Sequence, residues 1–176
     1  MDAEPCTASV RSIREELAPR PKSQPTVGSA SFEEALTSIR AEEAFAHDAW
    51  LSDDAREGRE SGQPVCEAAA DYIAEQFESY GLTPIGDDGT YFQHFTIGRT
   101  KKVTTYNVVG MHEGTDRKDE YVVLGAHYDH VGKGKMTFSN GRMGGSKTDE
   151  VYNGADDNAS GTSGLMEIAQ AFSGLE

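Results

Sequence analysis

The apolar positions come in stripes separated by polar, glycine-rich stretches. From Ser31, whose spacing to Glu34 is that of a capping box, Phe32, Leu36, Ile39, Ala46 and Trp50 recur at helical intervals and predict one helix over residues 32–51. After the polar stretch SDDAREGRESGQ, the positions Val65, Ala69, Tyr72, Ile73, Phe77 and Tyr80 trace a second helical stripe, with Gly81 placed to end it. Pro84 and the cluster Gly86-Asp87-Asp88-Gly89 read as a turn. The segments TYFQHFTI and VTTYNVVG that follow, rich in aromatic and β-branched residues, are close enough to pair as an antiparallel ribbon.

The run Tyr121-Val-Val-Leu-Gly-Ala126 is apolar almost without interruption and bounded by charges, the pattern of a central strand buried on both faces. Residues 131–156 have no periodicity and predict a long loop. Beyond it, Leu165, Met166, Ile168, Ala169 and Phe172 share one face of a helix behind a small-residue start. Residues 1–30 have the composition of a disordered tail. The order helix, helix, ribbon, buried strand, loop, helix predicts an α/β fold over residues 31–176. About three strands are visible where sheets typically have about four to six. The expectation is therefore an unfinished sheet, with an exposed apolar strand edge that aggregates or packs loosely.

Two motifs carry chemistry. The central strand ends in Ala126-His127-Tyr128-Asp129-His130, at the carboxyl end where open α/β sheets collect ligands. On an extended segment His127 and Asp129 point the same way. One imidazole nitrogen could then bind a metal while the Asp129 carboxylate orients the ring through the other; an ordinary polar turn after a strand also accounts for the pattern. The second motif, Asn153-Gly-Ala-Asp156-Asp157-Asn158-Ala-Ser160-Gly161, sets two carboxylates before a helix. Helix capping accounts for acids there, but not for the small residues that follow, which permit close backbone approach. A cation held between His127 and one of these aspartates accounts for both motifs.

Charge narrows the function classes. With 16 basic and 30 acidic side chains, the 176 residues carry a formal charge of -14, which repels nucleic acid and anionic membrane surfaces. Cys6 and Cys66 lack zinc-finger or disulfide-framework spacing and read as free or buried thiols. The chain as written shows neither a signal-peptide core nor an apolar run of membrane-spanning length. Gly141 to Thr148 only approximates a phosphate-binding loop, because Ser146 stands where glycine belongs. Asn158-Ala-Ser160 is a glycosylation sequon inside the metal motif, where a glycan would block it. His47, His94 and His112 stand singly and read as core or surface histidines, and Trp50 as core. No spacing supports a serine or cysteine nucleophile.

VVLGAHYDHVG followed by YNGADDNASGTSGLMEIAQAF resembles the metal-site region of the zinc aminopeptidase family that includes aminopeptidase Y, the small secreted bacterial aminopeptidases and, more distantly, the glutaminyl cyclases. Glu57-Gly-Arg-Glu-Ser-Gly62, Tyr80-Gly-Leu-Thr-Pro84, Thr90-Tyr-Phe-Gln93 and Tyr106-Asn-Val-Val-Gly110 are similar to family landmarks in the same order, so the likeness covers about residues 50–173.

The resemblance implies a three-layer sandwich, a mixed sheet with helices on both faces, here ending after the helix that follows the aspartate motif. It also implies two zinc ions held by five side chains, and hydrolysis at peptide or protein N-termini. By motif match His127 and Asp157 are metal ligands, Asp157 being the bridging one, and Asp129 orients His127. Asp156 sits where relatives vary and is assigned no ligand role, and His130 suits a supporting or loop role better than a ligand one. The family's Glu-Glu pair of general base and ligand, a further acidic ligand and a final histidine have no counterpart. Glu15-Glu16 and Glu42-Glu43 read as solvated charges. The expectation is a truncated zinc metallopeptidase, inactive alone, whose remainder could be separately encoded. The alternatives are a non-catalytic scaffold member, as in the transferrin-receptor-like branch, or a glutaminyl-cyclase-like transferase. Family members are commonly exported, which leaves location open.

Overall fold

The computed structural model describes residues 31–100, 102–134 and 150–175; the tail at residues 1–30 and the segment Gly141 to Thr148 lie outside them. Four α-helices occur among the described residues: α1 (Phe32–Ser38), α2 (Ala41–Leu51), α3 (Pro64–Ser79) and α4 (Ser160–Ser173). Four short strands, β1 (Thr83–Pro84), β2 (Phe92–Ile97), β3 (Val103–Val108) and β4 (Gly110–Met111), form two antiparallel pairs, β1 with β4 and β2 with β3. The α/β class is the one expected, in an incomplete arrangement.

α3 anchors the molecule. Val65, Ala69, Tyr72, Ile73, Phe77 and Tyr80, the stripe read from the sequence, are all buried. Proline occupies the first turn of the helix, where its missing N–H costs nothing. The helix ends in a Schellman motif: Leu82 N–H donates to Phe77 O at 3.0 Å and Gly81 N–H to Glu78 O at 3.0 Å, with Gly81 at φ 77°. α4 packs against α1, α2 and α3, and α3 also lies on β3. Between the helices Trp50 stacks on Tyr72 with ring centroids 3.8 Å apart, joined in the core by Leu51, Ala69, Ile73, Ala159 and Met166. Burial of such side chains contributes about 1.5–3 kcal/mol each. The ribbon forms as expected, from Phe92 opposite Val108 to Ile97 opposite Val103.

Three expectations are corrected. The single helix over residues 32–51 is two helices. The capping box at Ser31 and Glu34 is present, but Ile39 and Arg40 are extended. The break is locally encoded: the Thr37 and Ser38 hydroxyls bond back to the Glu34 and Ala35 carbonyls, which competes with helix continuation. The freed Arg40 N–H donates instead to the Glu167 carboxylate at 2.9 Å. Phe32, Leu36 and Ile39 consequently face outward, and only Ala35 of α1 is buried.

The buried face of α4 is also more polar than its apolar stripe predicts. Thr162, Ser163, Met166, Glu167, Gln170 and Ala171 are buried, while Phe172 is exposed. Glu167 turns inward to meet Arg40 and His47, which rotates the helix away from the all-apolar solution.

The third correction concerns residues 121–126. No strand pairs with them among the described residues, and Tyr121, Val122 and Val123 are 74%, 90% and 88% exposed. A strand buried on both faces needs a neighbouring strand on each edge and a packed layer on each face. The contact to β3 comes just beyond the run and through a side chain, Tyr128 Oη–H donating to Tyr106 O at 2.6 Å. A cavity of about 300 Å³ lies alongside, lined by Ile73, Phe77, Tyr106, Leu124, Tyr128 and Leu165.

Candidate metal site

The apolar run is loose, but the residues just after it are tightly held. Residues 128–134 run between two other segments. On one side His130 N–H donates to Arg59 O at 3.0 Å and Gly132 N–H to Gly58 O at 2.9 Å, with a parallel bridge between Glu60 and His130. On the other, Tyr152 N–H donates to Gly132 O at 3.1 Å and Gly134 N–H to Glu150 O at 2.9 Å. This second contact brings the chain back from the loop, so Asp157 arrives beside His127.

His127 Nε2 and Asp157 Oδ1 are 3.1 Å apart. The other ring nitrogen, Nδ1, lies 3.1 Å from the main-chain carbonyl of Asp129 and 3.6 Å from its carboxylate. The nearer partner of the His127 ring is thus the Asp129 main chain, while Asp129 Oδ2 accepts a bond from the Ser61 hydroxyl at 2.5 Å. With its proton on Nδ1, facing that carbonyl, the imidazole presents a lone pair at Nε2 to a carboxylate oxygen. A proton or a cation between the two satisfies both. The His127 and Asp157 side chains are 55% and 72% exposed, open to exchange with solvent ions.

Asp157 does not cap α4. That helix begins at Ser160 with Ala159 as its N-cap and no side-chain capping bond. Residues 155–159 form an irregular turn in which Asp157 and Asn158 leave helical dihedrals, at φ -125° and -139°, and the peptide bond between them is cis. The capping account of the acidic pair therefore fails for Asp157, and Asp156 is exposed. Close approach explains the small residues. Gly154 sits at φ 61°, and a side chain there would meet Asp157 O at 2.5 Å and the His130 ring at 2.7 Å; at Gly161 it would meet the Asn158 amide at 2.3 Å.

His130 is mostly buried, its Nδ1 3.9 Å from Asp157 Oδ2. Burial pushes its pKa down, and the Asp157 carboxylate opposes that more weakly. Asn158 Nδ2 and Thr162 Oγ1 both donate to the His127 carbonyl, at 3.2 and 3.0 Å, so the sequon asparagine is already engaged. Among the described residues no group of three or more His, Cys, Asp or Glu side chains converges to hold a metal. The pair of donors fits zinc in kind, an imidazole nitrogen and a carboxylate oxygen, and falls short in number of the about three protein ligands usual for a catalytic ion.

The remaining candidates fall elsewhere. Glu42 and Glu43 pair with Arg40 on the surface of α2, at 3.5 and 3.7 Å. Glu15-Glu16 and Cys6 lie outside the described residues. Cys66 is buried, and burial pushes its thiol up to about 12. No helix among the described residues is long and apolar enough to cross a membrane.

Arg59, Ser61 and Thr162 support the two motifs in space without a role read from the sequence, and Asn158, noted there in the aspartate motif and as a sequon, holds the His127 carbonyl. The one available signal was the run Gly58-Arg-Glu-Ser61, whose glycine admits the Gly132 backbone: a side chain at Gly58 would meet Gly132 O at 2.2 Å. No curated protein and no solved structure matches the chain. Residues 107–175, the part of the chain that holds both motifs, match the family model for Peptidase family M28.

Proposed function

We propose that the chain carries part of a two-zinc aminopeptidase-type site, with His127 and Asp157 as metal ligands, acting in its complete form on peptide or protein N-termini. The observation that carries this reading is the 3.1 Å approach of His127 Nε2 to Asp157 Oδ1, formed by two motifs that are separated by a long loop and lie within the segment similar to Peptidase family M28. The His127 carbonyl, held by Asn158 and Thr162, and the Asp129 carbonyl facing Nδ1 set the ring so that Nε2 is the free donor. Zinc, when bound, lowers the pKa of its water toward about 7 and polarises the scissile carbonyl.

This polypeptide alone is proposed to be inactive, because its described residues place two donors and no glutamate base at the site. A scaffold role is the second reading, favoured by the absence of a third converging ligand among the described residues.

Zinc titration of the purified chain tests both. The expected result is weak uptake that is lost in His127→Ala and Asp157→Ala and kept in His47→Ala, with no release of an N-terminal residue from a peptide. Chelator-sensitive release by this polypeptide would overturn inactivity. Uptake unchanged in His127→Ala would overturn the ligand assignment and leave the scaffold reading.

A further inference from the structure

We infer that Arg59 is the positioning residue that sets the distance between the His127 segment and the Asp157 turn. The inference rests on the metal-pair reading for its chemical purpose and on main-chain geometry for its substance. Arg59 is fully buried. Its guanidinium donates to four main-chain carbonyls from three separate parts of the chain. Nε reaches Tyr128 O at 2.7 Å, Nη1 reaches Leu51 O and Asn153 O, the latter at 2.7 Å, and Nη2 reaches Gly154 O at 3.0 Å.

Two of these carbonyls border the pair directly. Tyr128 follows His127 in the chain. Gly154 O also accepts Ala159 N–H at 3.1 Å, closing the turn that carries Asp157. One rigid planar group therefore spans the turn and the segment and holds them at a set separation, which a lysine ammonium, a point donor on a flexible stem, cannot reproduce.

The Arg59 backbone is built to deliver the side chain. It sits at φ 46°, its N–H donates to Arg56 O at 2.8 Å, and its own carbonyl receives His130 N–H at 3.0 Å. The main chain of Arg59 thus grips the same segment that its guanidinium holds, at His130 and Tyr128. Ser61, two residues on, bonds the Asp129 carboxylate. The buried charge is surrounded by carbonyl dipoles, with the carboxylates of Asp48, Asp129 and Asp157 near enough to favour the cation and burial opposing it more strongly. Ordinary helix packing does not require an arginine here, since the core of Trp50, Tyr72 and Met166 closes without its side chain.

The test uses hydrogen exchange and zinc titration on the whole chain. In Arg59→Lys the amides of His130 and Ala159 are expected to exchange at least about tenfold faster, while the core amides of α3 keep their rates; general loosening would accelerate both. Zinc uptake is expected to weaken about 10–100-fold, the usual effect of losing a group that orients a ligand. Unchanged exchange at His130 and Ala159 overturns the inference. If the wild-type chain takes up no zinc, the metal reading fails and the exchange result still decides Arg59.

If Arg59→Lys does not fold, native-state exchange of the wild-type chain at low urea decides instead. The Arg59 Nε–H and the His130 and Ala159 amides are expected to share one opening reaction. Independent opening overturns the inference.

Discussion

Two corners of the molecule each bring a histidine against a carboxylate, with opposite consequences. In the core, His47 of α2 is almost fully buried, with Nδ1 2.6 Å from the Tyr72 hydroxyl, Nε2 3.5 Å from the Tyr80 hydroxyl and 3.8 Å from Glu167 of α4. At the surface, His127 meets Asp157 at 3.1 Å with both side chains largely exposed. Burial pushes the His47 pKa down to about 4, so the interior imidazole is kept neutral and closed by tyrosine hydroxyls, and burial also raises the pKa of Glu167. His127 and Asp157 remain open to solvent, where an ion can enter. Proximity of a histidine and an acid is therefore not itself a metal signal; exposure and the partner of the second ring nitrogen separate the two cases.

Stability measurements should divide the two corners most sharply. Met166→Ala, at a fully buried site between the helices, is expected to cost about 2–5 kcal/mol in urea unfolding. Asp157→Asn should stay within about 0.5 kcal/mol, as for an exposed side chain outside the core. Comparable costs at both positions would mean that Asp157 belongs to the packed interior and that the contrast fails.

The pH dependence probes the buried corner next. A histidine in the unfolded chain takes up a proton near about 6.5, while folded His47 resists until about 4. Between those values the unfolded state binds more protons. The His47 contribution is thus fully present above about 6.5 and falls as the pH drops toward 4, by at most about 3 kcal/mol. Glu167 acts in the opposite sense: its raised folded pKa favours the fold at low pH and disfavours it as the pH rises through that value. Unfolding curves at pH 7 and pH 5 should show a drop in the wild-type chain that is largely gone in His47→Leu. An identical drop in both would assign it to other groups.

The smallest effect on stability belongs to the exposed run. Val123→Lys is expected to change unfolding free energy by no more than about 0.5 kcal/mol and to reduce self-association in light scattering, since a charge on a strand edge discourages pairing. Unchanged association would place the sticky surface elsewhere, with the outward-facing Phe32, Leu36 and Phe45 the next candidates.

Much of this was legible locally. The α3 stripe, its glycine terminator, the capping box at Ser31 and the β2–β3 ribbon depend on interactions a few residues apart or on strands joined by a short turn, so periodicity reveals them. His127 and Asp157 could be picked out because each sits in a short motif with its own chemical logic. The errors arose where distant residues decide. The continuous helix over residues 32–51 breaks where the Thr37 and Ser38 hydroxyls bond back to the preceding turn and a carboxylate more than a hundred positions away takes the freed Arg40 amide. The polar face of α4 is buried because Glu167 and Thr162 find distant main-chain partners, the Arg40 amide and the His127 carbonyl.

The amino-acid sequence by itself supplied the histidine and carboxylate motifs and most of the helical stripes, because both are properties of short spans. Tertiary structure alone decided that His127 and Asp157 meet, that the Asp129 main chain is the nearer partner of the imidazole, and that Arg59 ties the segment to the turn. Hydrogen bonds to main-chain carbonyls are independent of residue type at the accepting end, so no pattern of letters announces them. The exposure of residues 121–126 is likewise a tertiary fact: apolar composition states a preference for burial, and only neighbouring strands and packed layers can satisfy it.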